Sequence, residues 1–381
     1  MRALIALATV SVGCSKLLGI SDPTVGSGDA RDDATPIDDA VDSLFDSPPP
    51  CTTAPNFGAE ASYALGATGT WLAFGNLDAN TPNATIDVAI AVGTEIAILH
   101  NDGTGALGSP SVIATPADGV IVEDFTLDVR VDIIAWKFGG TSVVERNHDT
   151  VTRGNYLAEQ PLDGPFTGVA SVRVGFLDGA FNPDVLVHDA SERRVYTSNL
   201  GTPGTFSQEE VVGTAGDNLV VVQQIDNASN DDAAFIDQTG AVKIALSTGN
   251  LGTTTTIGNG ALPQAVAFGN FDGTPGLDAI VGTANGGVIY TQDTPGTFTP
   301  AAGTIPGVGA GPIQVLDVNG DATDDLVLRD GILLQCPDTR AFTQHVPLAL
   351  AGPHQLIDLT KDNKPDLIRV TGTNLEVRIQ Q

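Results

Sequence analysis

An internal repeat constrains this chain more than any other feature. Seven times between Phe74 and Val370, an aspartate opens a short polar loop, a second aspartate closes it and an apolar run follows. The leading aspartates are Asp78, Asp124, Asp178, Asp226, Asp272, Asp317 and Asp358. The closing aspartates are Asp87, Asp132, Asp184, Asp232, Asp278, Asp325 and Asp366. The leading aspartates lie 41 to 54 residues apart, a period that indicates a solenoid or a propeller.

Each unit contains four segments with strand character. One apolar strand runs into the leading aspartate, a second starts at the closing aspartate, and a third and a looser fourth follow. The predicted third strands are Glu95–His100, Ser142–Arg146, Arg194–Ser198, Val242–Ser247, Val288–Gln292, Ile332–Gln335 and Leu375–Ile379. The 44 glycines and 23 prolines supply the many turns that short strands need. Four strands per unit predict an all-β, seven-bladed β-propeller, because the units are too long for the alternative, an open β-solenoid.

The two ends of the repeat region predict how the ring closes. The sequence stops after the third strand of unit seven, so that blade lacks its outer strand. The segment before unit one resembles the fourth-strand segment of unit five. We therefore expect Phe57–Leu65 to complete the last blade, with residues 56–381 forming the propeller. Closure of this kind removes an open sheet edge.

The loop of unit six, Asp-x-Asn-Gly-Asp-x-x-x-Asp from Asp317 to Asp325, resembles the FG-GAP/VCBS repeat. That family builds seven-bladed propellers such as the head of integrin α subunits, and it occurs in many bacterial secreted proteins. The resemblance covers roughly residues 56–381. It implies the fold and often calcium, but no single function, because propellers host both enzymes and binding scaffolds.

Calcium prefers six to eight hard oxygen ligands, which a short loop supplies from alternate positions. We expect one or two structural calcium ions. The best set is Asp317, Asn319, Asp321, Thr323 and Asp325, and the second is Asp358, Thr360, Asp362, Lys364 (through its carbonyl) and Asp366. Asp124, Thr126, Asp128 and Asp132 keep the spacing, but Val129 and Val131 interrupt a polar loop, which favours ordinary turn residues. Unit one stretches its loop to ten positions, in which Asp78, Asn80 and Asp87 are a further candidate ligand set.

The spacing between the leading and the closing aspartate is shorter in units three, four and five than in unit six. Their loops are therefore predicted to be shortened and to lack the middle ligand. Their aspartates are expected to cap turns by accepting hydrogen bonds from nearby backbone amides.

The first 55 residues have a different character. Residues 1–13 resemble a lipoprotein signal peptide, in which Ser11-Val12-Gly13-Cys14 matches a lipobox and Cys14 is lipidated; an ordinary secretory signal is the alternative. Residues 14–55, with eight aspartates before Pro48-Pro49-Pro50, are predicted to form a disordered acidic tether. Export permits a disulfide between the other two cysteines, Cys51 and Cys336. We expect the chain to be anchored to the cell envelope, at the outer membrane if the cell has one.

Composition and motifs narrow the function. Lys and Arg total 17 against 46 Asp and Glu, and the net charge of −29 argues against nucleic acid as a partner. The sequence contains no nucleophile elbow, no HExxH and no P-loop, and its five histidines share no metal-ligand spacing. The leading hypothesis is a non-catalytic envelope lipoprotein whose calcium-supported propeller binds a protein or a glycan without an organic cofactor. The alternatives are a polysaccharide lyase or hydrolase, and a structural envelope component.

Overall fold

The computed structural model describes residues 53–78, 85–152, 154–164, 166–180, 182–199, 204–211, 218–226, 228, 230–237, 239–247, 251–258, 263–309 and 311–381. Within these ranges every regular element is a β-strand, and the strands form seven four-stranded antiparallel sheets. The sheets follow one another along the chain, and first strands of successive sheets pack together. This is the seven-bladed β-propeller that the repeat predicts.

The strands of blades one to three, from the innermost to the outermost, are as follows. Blade one contains β2 (Trp71–Gly75), β3 (Asp87–Ala91), β4 (Ile96–Leu99) and β5 (Ser111–Ile113). Blade two contains β6 (Gly119–Glu123), β7 (Asp132–Trp136), β8 (Val143–Arg146) and β9 (Gln160–Pro161). Blade three contains β10 (Ser171–Gly175), β11 (Asp184–His188), β12 (Arg193–Ser198) and β13 (Phe206–Val211).

Blades four to seven repeat the same order. Blade four contains β14 (Asn218–Gln223), β15 (Asp232–Ile236), β16 (Val242–Ser247) and β17 (Leu251–Ile257). Blade five contains β18 (Pro263–Gly269), β19 (Asp278–Thr283), β20 (Gly286–Thr294) and β21 (Thr297–Pro300). Blade six contains β22 (Gln314–Leu316), β23 (Asp325–Leu328), β24 (Gly331–Gln335) and β25 (Phe342–Pro347). Blade seven contains β26 (His354–Ile357), β27 (Asp366–Thr371) and β28 (Asn374–Arg378), with β1 (Ala61–Ala64) outermost.

The ring is closed by the N-terminal strand, as the sequence predicts. β1 pairs antiparallel with β28, in a register that places Ala61 opposite Val377. The pairing extends beyond the two strands, towards the start of β1 and the end of β28: Phe57 bridges Gln380, and the Gln381 amide donates to the Asn56 carbonyl at 2.8 Å. The last blade is therefore held by residues more than 300 positions apart in sequence.

The hydrophobic core is divided into seven clusters, one between each pair of neighbouring blades. The second strands are mostly apolar after their initial closing aspartate; β3, β7 and β11 are fully buried because both their faces contact a neighbouring blade. The cluster between blades seven and one includes Val370, Val88 and Ile90. Burial at this last junction gives the closed ring the same apolar packing as its other six junctions.

Hydrogen bonds also link each blade to the next. We call the buried apolar residue near the start of each polar loop the anchor residue; the seven are Leu77, Phe125, Leu177, Ile225, Phe271, Val318 and Leu359. Every anchor carbonyl accepts a hydrogen bond from the following blade. The donors, in the same order, are Tyr156 Oη, Gly204 N, Ser247 Oγ, Gln292 Nε2, Gln335 Nε2, Gln380 Nε2 and Asn101 Nδ2. The last of these bonds, from Asn101 to Leu359 at 2.8 Å, joins blades one and seven.

Some sequence predictions fall outside the described residues. They are the signal peptide of residues 1–13, the lipidated Cys14, most of the tether 14–55, and Cys51. Cys336 lies just after β24, with its sulfur 2.9 Å from Thr343 Oγ1. Because Cys51 lies outside the described residues, the bridge between Cys51 and Cys336 stays a prediction. Among the residues that the structure describes, no helix is long and apolar enough to cross a membrane.

Candidate functional site

The seven polar loops share one frame, which is set by the anchor residue and the closing aspartate. One carboxylate oxygen of each closing aspartate accepts the anchor amide, at 2.8 to 3.0 Å. The other oxygen accepts an amide at or just after the end of the third strand, at 2.7 to 3.0 Å. Each buried carboxylate therefore ties its loop to two strands of its own blade.

The shared frame corrects the prediction of shortened loops. Anchor and closing aspartate are seven residues apart in units two to seven alike, and ten apart in unit one. The leading aspartates of the repeat do not all occupy the same position relative to the anchor residue. Asp178, Asp226 and Asp272 follow their anchors, whereas Asp317 precedes its anchor. Units three to five thus have loops of full length that lack a carboxylate before the anchor.

Numbering the loop from the residue before the anchor separates the seven units into two groups. Units two, six and seven have an aspartate at position one and another at position five. Position one in the remaining units is occupied by Asn76, Phe176, Gln224 and Asn270. In units three to five the aspartate at position three caps a turn, as predicted; Asp178 Oδ1, for example, accepts the Ala180 amide at 2.7 Å.

The loops of units two, six and seven have the same backbone conformation. Positions four and six have left-handed φ angles in all three: Leu127 and Val129, Gly320 and Ala322, and Lys361 and Asn363. Five of these six residues are not glycine, and each such conformation costs about 1 kcal/mol or more. The position-one aspartate compensates, since its two oxygens accept the amides of positions five and six in every case.

Unit two therefore folds like units six and seven, although its valines favoured an ordinary turn on sequence. Val129 is 85% exposed, so it leaves the interior of the loop to the oxygen side chains. The Asp128 carboxylate accepts the Arg130 amide at 3.0 Å, and Asp321 and Asp362 make the same bond to positions seven of their own loops. In all three loops the position-seven amide therefore donates to the position-five carboxylate.

The three loops fit a hard cation by the chemistry of their donors. Each offers carboxylates at positions one, five and nine, and a threonine or asparagine oxygen at position three. Burial is the main cause that raises the pKa of Asp325 to about 7; the charges of Asp321 and Asp317 act in the same direction, and the amides that donate to Asp325 act against it. A bound cation would relieve this concentration of negative charge. Without one, the carboxylates accept hydrogen bonds from the loop's own backbone.

Unit one differs from the other six. Asn80 lies outside the described residues. Asp78 and Asp87 lie together with His100, and one ligand atom from each of the three is within 4.8 Å of the others. Among the described residues these three form the one group of carboxylate and imidazole ligands with that spacing. The sequence analysis missed His100 because it follows the third strand, far from the loop motif.

Both tryptophans of the chain lie in one aromatic cluster on the face of the ring opposite the polar loops. The ring centroids of Trp71 and Trp136 are 5.4 Å apart, and Phe138 lies 6.2 Å and 6.5 Å from them. Gly119 makes this packing possible, because a Cβ there would lie 2.2 Å from the Trp136 indole. Phe138 is 48% exposed. We call Trp71, Trp136 and Phe138 the aromatic platform.

The platform borders the central channel. Arg173 Cζ lies 5.5 Å from the centroid of the Trp71 ring. Trp71 is on the innermost strand of blade one, and Arg173 is on the innermost strand of blade three. Because blade two lies between these blades, the two side chains meet on the channel side of its innermost strand. Beside it, Lys137 Nζ donates to Asp118 Oδ1 at 2.8 Å, and the Phe138 amide donates to Asp118 Oδ2 at 3.1 Å. The channel mouth thus combines aromatic faces with charged hydrogen-bonding groups.

An open cavity of about 590 Å³ lies on the same face, near blades five to seven. Its walls are the turn Leu328–Asp330, the segment Pro347–Ala351, and the connection residues Gly307, Gly309 and Gly311–Ile313. Most of this lining is aliphatic or glycine. It offers none of the aromatic rings that the channel mouth provides.

Comparison with known proteins supports the fold. No family model matches the chain, and no curated protein matches its sequence. A solved lectin of Agrocybe aegerita, described as recognising non-reducing terminal N-acetylglucosamine, superposes with a TM-score of 0.56 at 15% identity, over 79% of this chain and 82% of the lectin. The structure of BBS1N in complex with ARL6DN gives a TM-score of 0.54 at 12% identity, over 86% of this chain and 98% of that one. At these identities the likeness shows the β-propeller fold.

Proposed function

We propose that this chain is a non-catalytic binding scaffold of the cell envelope that recognises a neutral glycan at the mouth of its central channel. The observation that carries the proposal is the contact of Arg173 with Trp71 beside the central channel, next to the half-exposed ring of Phe138. The apolar face of a pyranose ring stacks on aromatic side chains, while its hydroxyl groups need donors and acceptors around them. Arg173, Lys137 and Asp118 provide these.

The net charge of the chain favours an uncharged ligand. With 46 acidic and 17 basic side chains, the protein repels polyanionic glycans at long range. The Agrocybe lectin, which has the same kind of fold, is described as binding a neutral amino sugar. A protein partner is the alternative, and BBS1N is a propeller seen in a complex with another protein.

The binding proposal is tested by titrating the purified chain with neutral oligosaccharides in a calorimeter, including chains that end in N-acetylglucosamine. Phe138→Ala and Trp71→Ala should weaken binding by roughly tenfold or more, because truncation of a central aromatic contact costs about 2 kcal/mol. Val151→Ala is the matched control, since Val151 is 88% exposed on another part of the surface. Equal affinity in all variants would contradict the proposal. Cleavage of the bound glycan would favour the polysaccharide lyase or hydrolase instead.

Calcium forms part of the proposal, in line with the FG-GAP/VCBS resemblance. Units six, seven and two would hold one ion each, through the position-one, three, five and nine side chains and the carbonyl of position seven. A bound ion would supply positive charge that holds the loop carboxylates together. The four remaining units lack the position-one carboxylate and are proposed to hold no calcium.

The envelope location rests on the sequence. Cys14 follows a short apolar segment and would carry the lipid anchor, with residues 14–55 as a tether to the ring. Cys14→Ser should release the protein from membranes in the source cell or a suitable host. Persistent attachment of this variant would contradict the lipid anchor without affecting the glycan proposal.

A further inference from the structure

Unit one differs from the proposed calcium loops in two ways: it lacks the position-one aspartate, and it has a histidine, His100, beside its closing aspartate. Its position-one residue is Asn76, and its loop is three residues longer than the others. The residue that packs beside the closing aspartate, one position before the amide that bonds to it, is His100 in this unit alone. The equivalent residues in units two to seven are Asn147, Thr197, Leu246, Thr291, Leu334 and Ile379.

The imidazole of His100 forms a long ion pair with Asp87, and the same spacing is compatible with metal coordination. His100 Nδ1 lies 3.4 Å from Asp87 Oδ2, longer than the 2.7 to 2.9 Å of a charge-assisted hydrogen bond. Nδ1 is shielded from solvent and makes no hydrogen bond with the described residues. Two ligands of a tetrahedral zinc ion, each about 2.1 Å from the metal, are themselves roughly 3.4 Å apart.

The carboxylates are arranged for the same role. Asp87 is fully buried; the amides of Leu77 and Asp78 donate to its Oδ2 at 2.9 and 3.2 Å, and the Asn101 amide donates to its Oδ1 at 2.8 Å. Such outer contacts fix the orientation of a metal ligand. Asp78 brings the third ligand atom within the 4.8 Å group, and the His100 side chain is 36% exposed, so solvent reaches the site from one side.

We infer that Asp78, Asp87 and His100 bind a zinc-type divalent ion, separate from the calcium loops. Imidazole nitrogen suits zinc and cobalt, whereas calcium takes oxygen ligands. Three protein ligands leave a fourth coordination position for water or an exchangeable ligand. The site does not depend on the glycan proposal, because it lies in the loop of unit one, on the face opposite the aromatic platform.

The test titrates the purified full chain, first stripped with a chelator, with cobalt and then with zinc in the presence of excess calcium. Cobalt should produce the visible absorption of a nitrogen-containing, low-symmetry site, and zinc should displace it at one equivalent. His100→Gln should lower zinc affinity by roughly a hundredfold or more, since even outer-shell partners change metal affinity by 10- to 100-fold. Asp78→Asn, which leaves the buried Asp87 in place, should act in the same direction.

Two variants serve as controls. His345→Gln removes an exposed histidine of blade six, and Asp317→Asn removes a calcium-loop carboxylate. Both should bind zinc as the unmodified chain does. Absence of cobalt absorption, or zinc affinity that His100→Gln leaves unchanged, would overturn the inference.

Discussion

Two groups of loops on the same ring differ in one residue position and in their backbone. Units two, six and seven have an aspartate before the anchor and left-handed residues at positions four and six. Units one, three, four and five have neither the aspartate nor a non-glycine left-handed residue in the described part of the loop. The anchor residue and the closing aspartate are common to both groups and hold the blade together. The comparison teaches that the closing aspartate is structural in all seven units, whereas the position-one aspartate sets the backbone of the loops for which we propose a cation.

The largest expected effect comes from removing calcium. Binding to the folded state alone contributes about 4 kcal/mol per site when free calcium is a thousandfold above Kd. Three occupied loops should therefore raise the melting temperature by on the order of 10 °C or more. Calorimetry in excess calcium and in excess chelator measures this shift. Identical melting curves in the two conditions would contradict a cation-binding role for the first group.

Substitution within each group sharpens the same experiment. Asp321→Ala deletes a carboxylate from unit six and should remove about one third of the calcium-dependent shift. Asp272→Asn in unit five is the control, because Asp272 Oδ1 caps a turn by accepting the amide and the hydroxyl of Thr274. The control should lose little stability, and its response to calcium should match that of the unmodified chain.

A second, smaller effect tests the surroundings of unit two. Glu145 is 3% exposed between blades two and three, its Oε1 has no hydrogen-bond partner among the described residues, and burial raises its pKa to about 8. The unfolded side chain ionises near 4.5, so between pH 4.5 and 8 the folded state holds the extra proton. Glu145 should therefore contribute a fall in stability of roughly 1.4 kcal/mol per pH unit as pH rises through this range, in addition to the contributions of other buried carboxyl groups.

Glu145→Gln, which cannot ionise, should flatten that dependence between pH 5 and 8 and should stabilise the chain at pH 8. Denaturant titrations at several pH values measure the effect. The charge of Asp132, the closing aspartate of unit two, also raises the pKa of Glu145. A calcium ion at Asp132 should therefore reduce the pH dependence. If the dependence of stability on pH is the same in Glu145→Gln and in the unmodified chain, Glu145 does not titrate as proposed.

The smallest effect concerns the bonds between blades, which do not distinguish the two loop groups. Gln335 donates to the anchor carbonyl of unit five, at 2.8 Å, and Gln380 to that of unit six, at 2.9 Å. Loss of either donor leaves a buried carbonyl unsatisfied, at a cost of about 1 to 3 kcal/mol. Gln335→Ala and Gln380→Ala should lower stability by similar amounts, with and without calcium. A loss that depends on calcium in one variant would tie these bonds to the ion sites.

Much of the fold could be predicted from sequence because the repeat is local and regular. The predicted third strands, such as Val242–Ser247, agree with the observed ones to within about two residues at each end, and the closing strand pairs where expected. The loop frame could not be predicted in full, because aspartates on either side of the anchor look alike in sequence. Only the hydrogen bond from the anchor amide shows that Asp178 and Asp317 occupy different positions.

The sites depend on contacts that sequence spacing does not encode. Arg173 meets Trp71 from two blades away, and their separation in sequence gives no sign of the contact. His100 belongs to a third strand segment, so a search of the loop motif overlooks it. The loops of units six and seven could be proposed for calcium from sequence because all their candidate side-chain ligands lie within nine consecutive residues.

The central claim is that position one decides which loops bind calcium. The most direct measurement is the number of calcium ions bound per chain, determined by equilibrium dialysis or native mass spectrometry on the metal-free protein. The account predicts three ions, with Asp124→Asn, Asp317→Asn and Asp358→Asn each removing one, and Asp178→Asn removing none. A chain that binds no calcium, or that loses an ion with Asp178→Asn and none with Asp317→Asn, would contradict it.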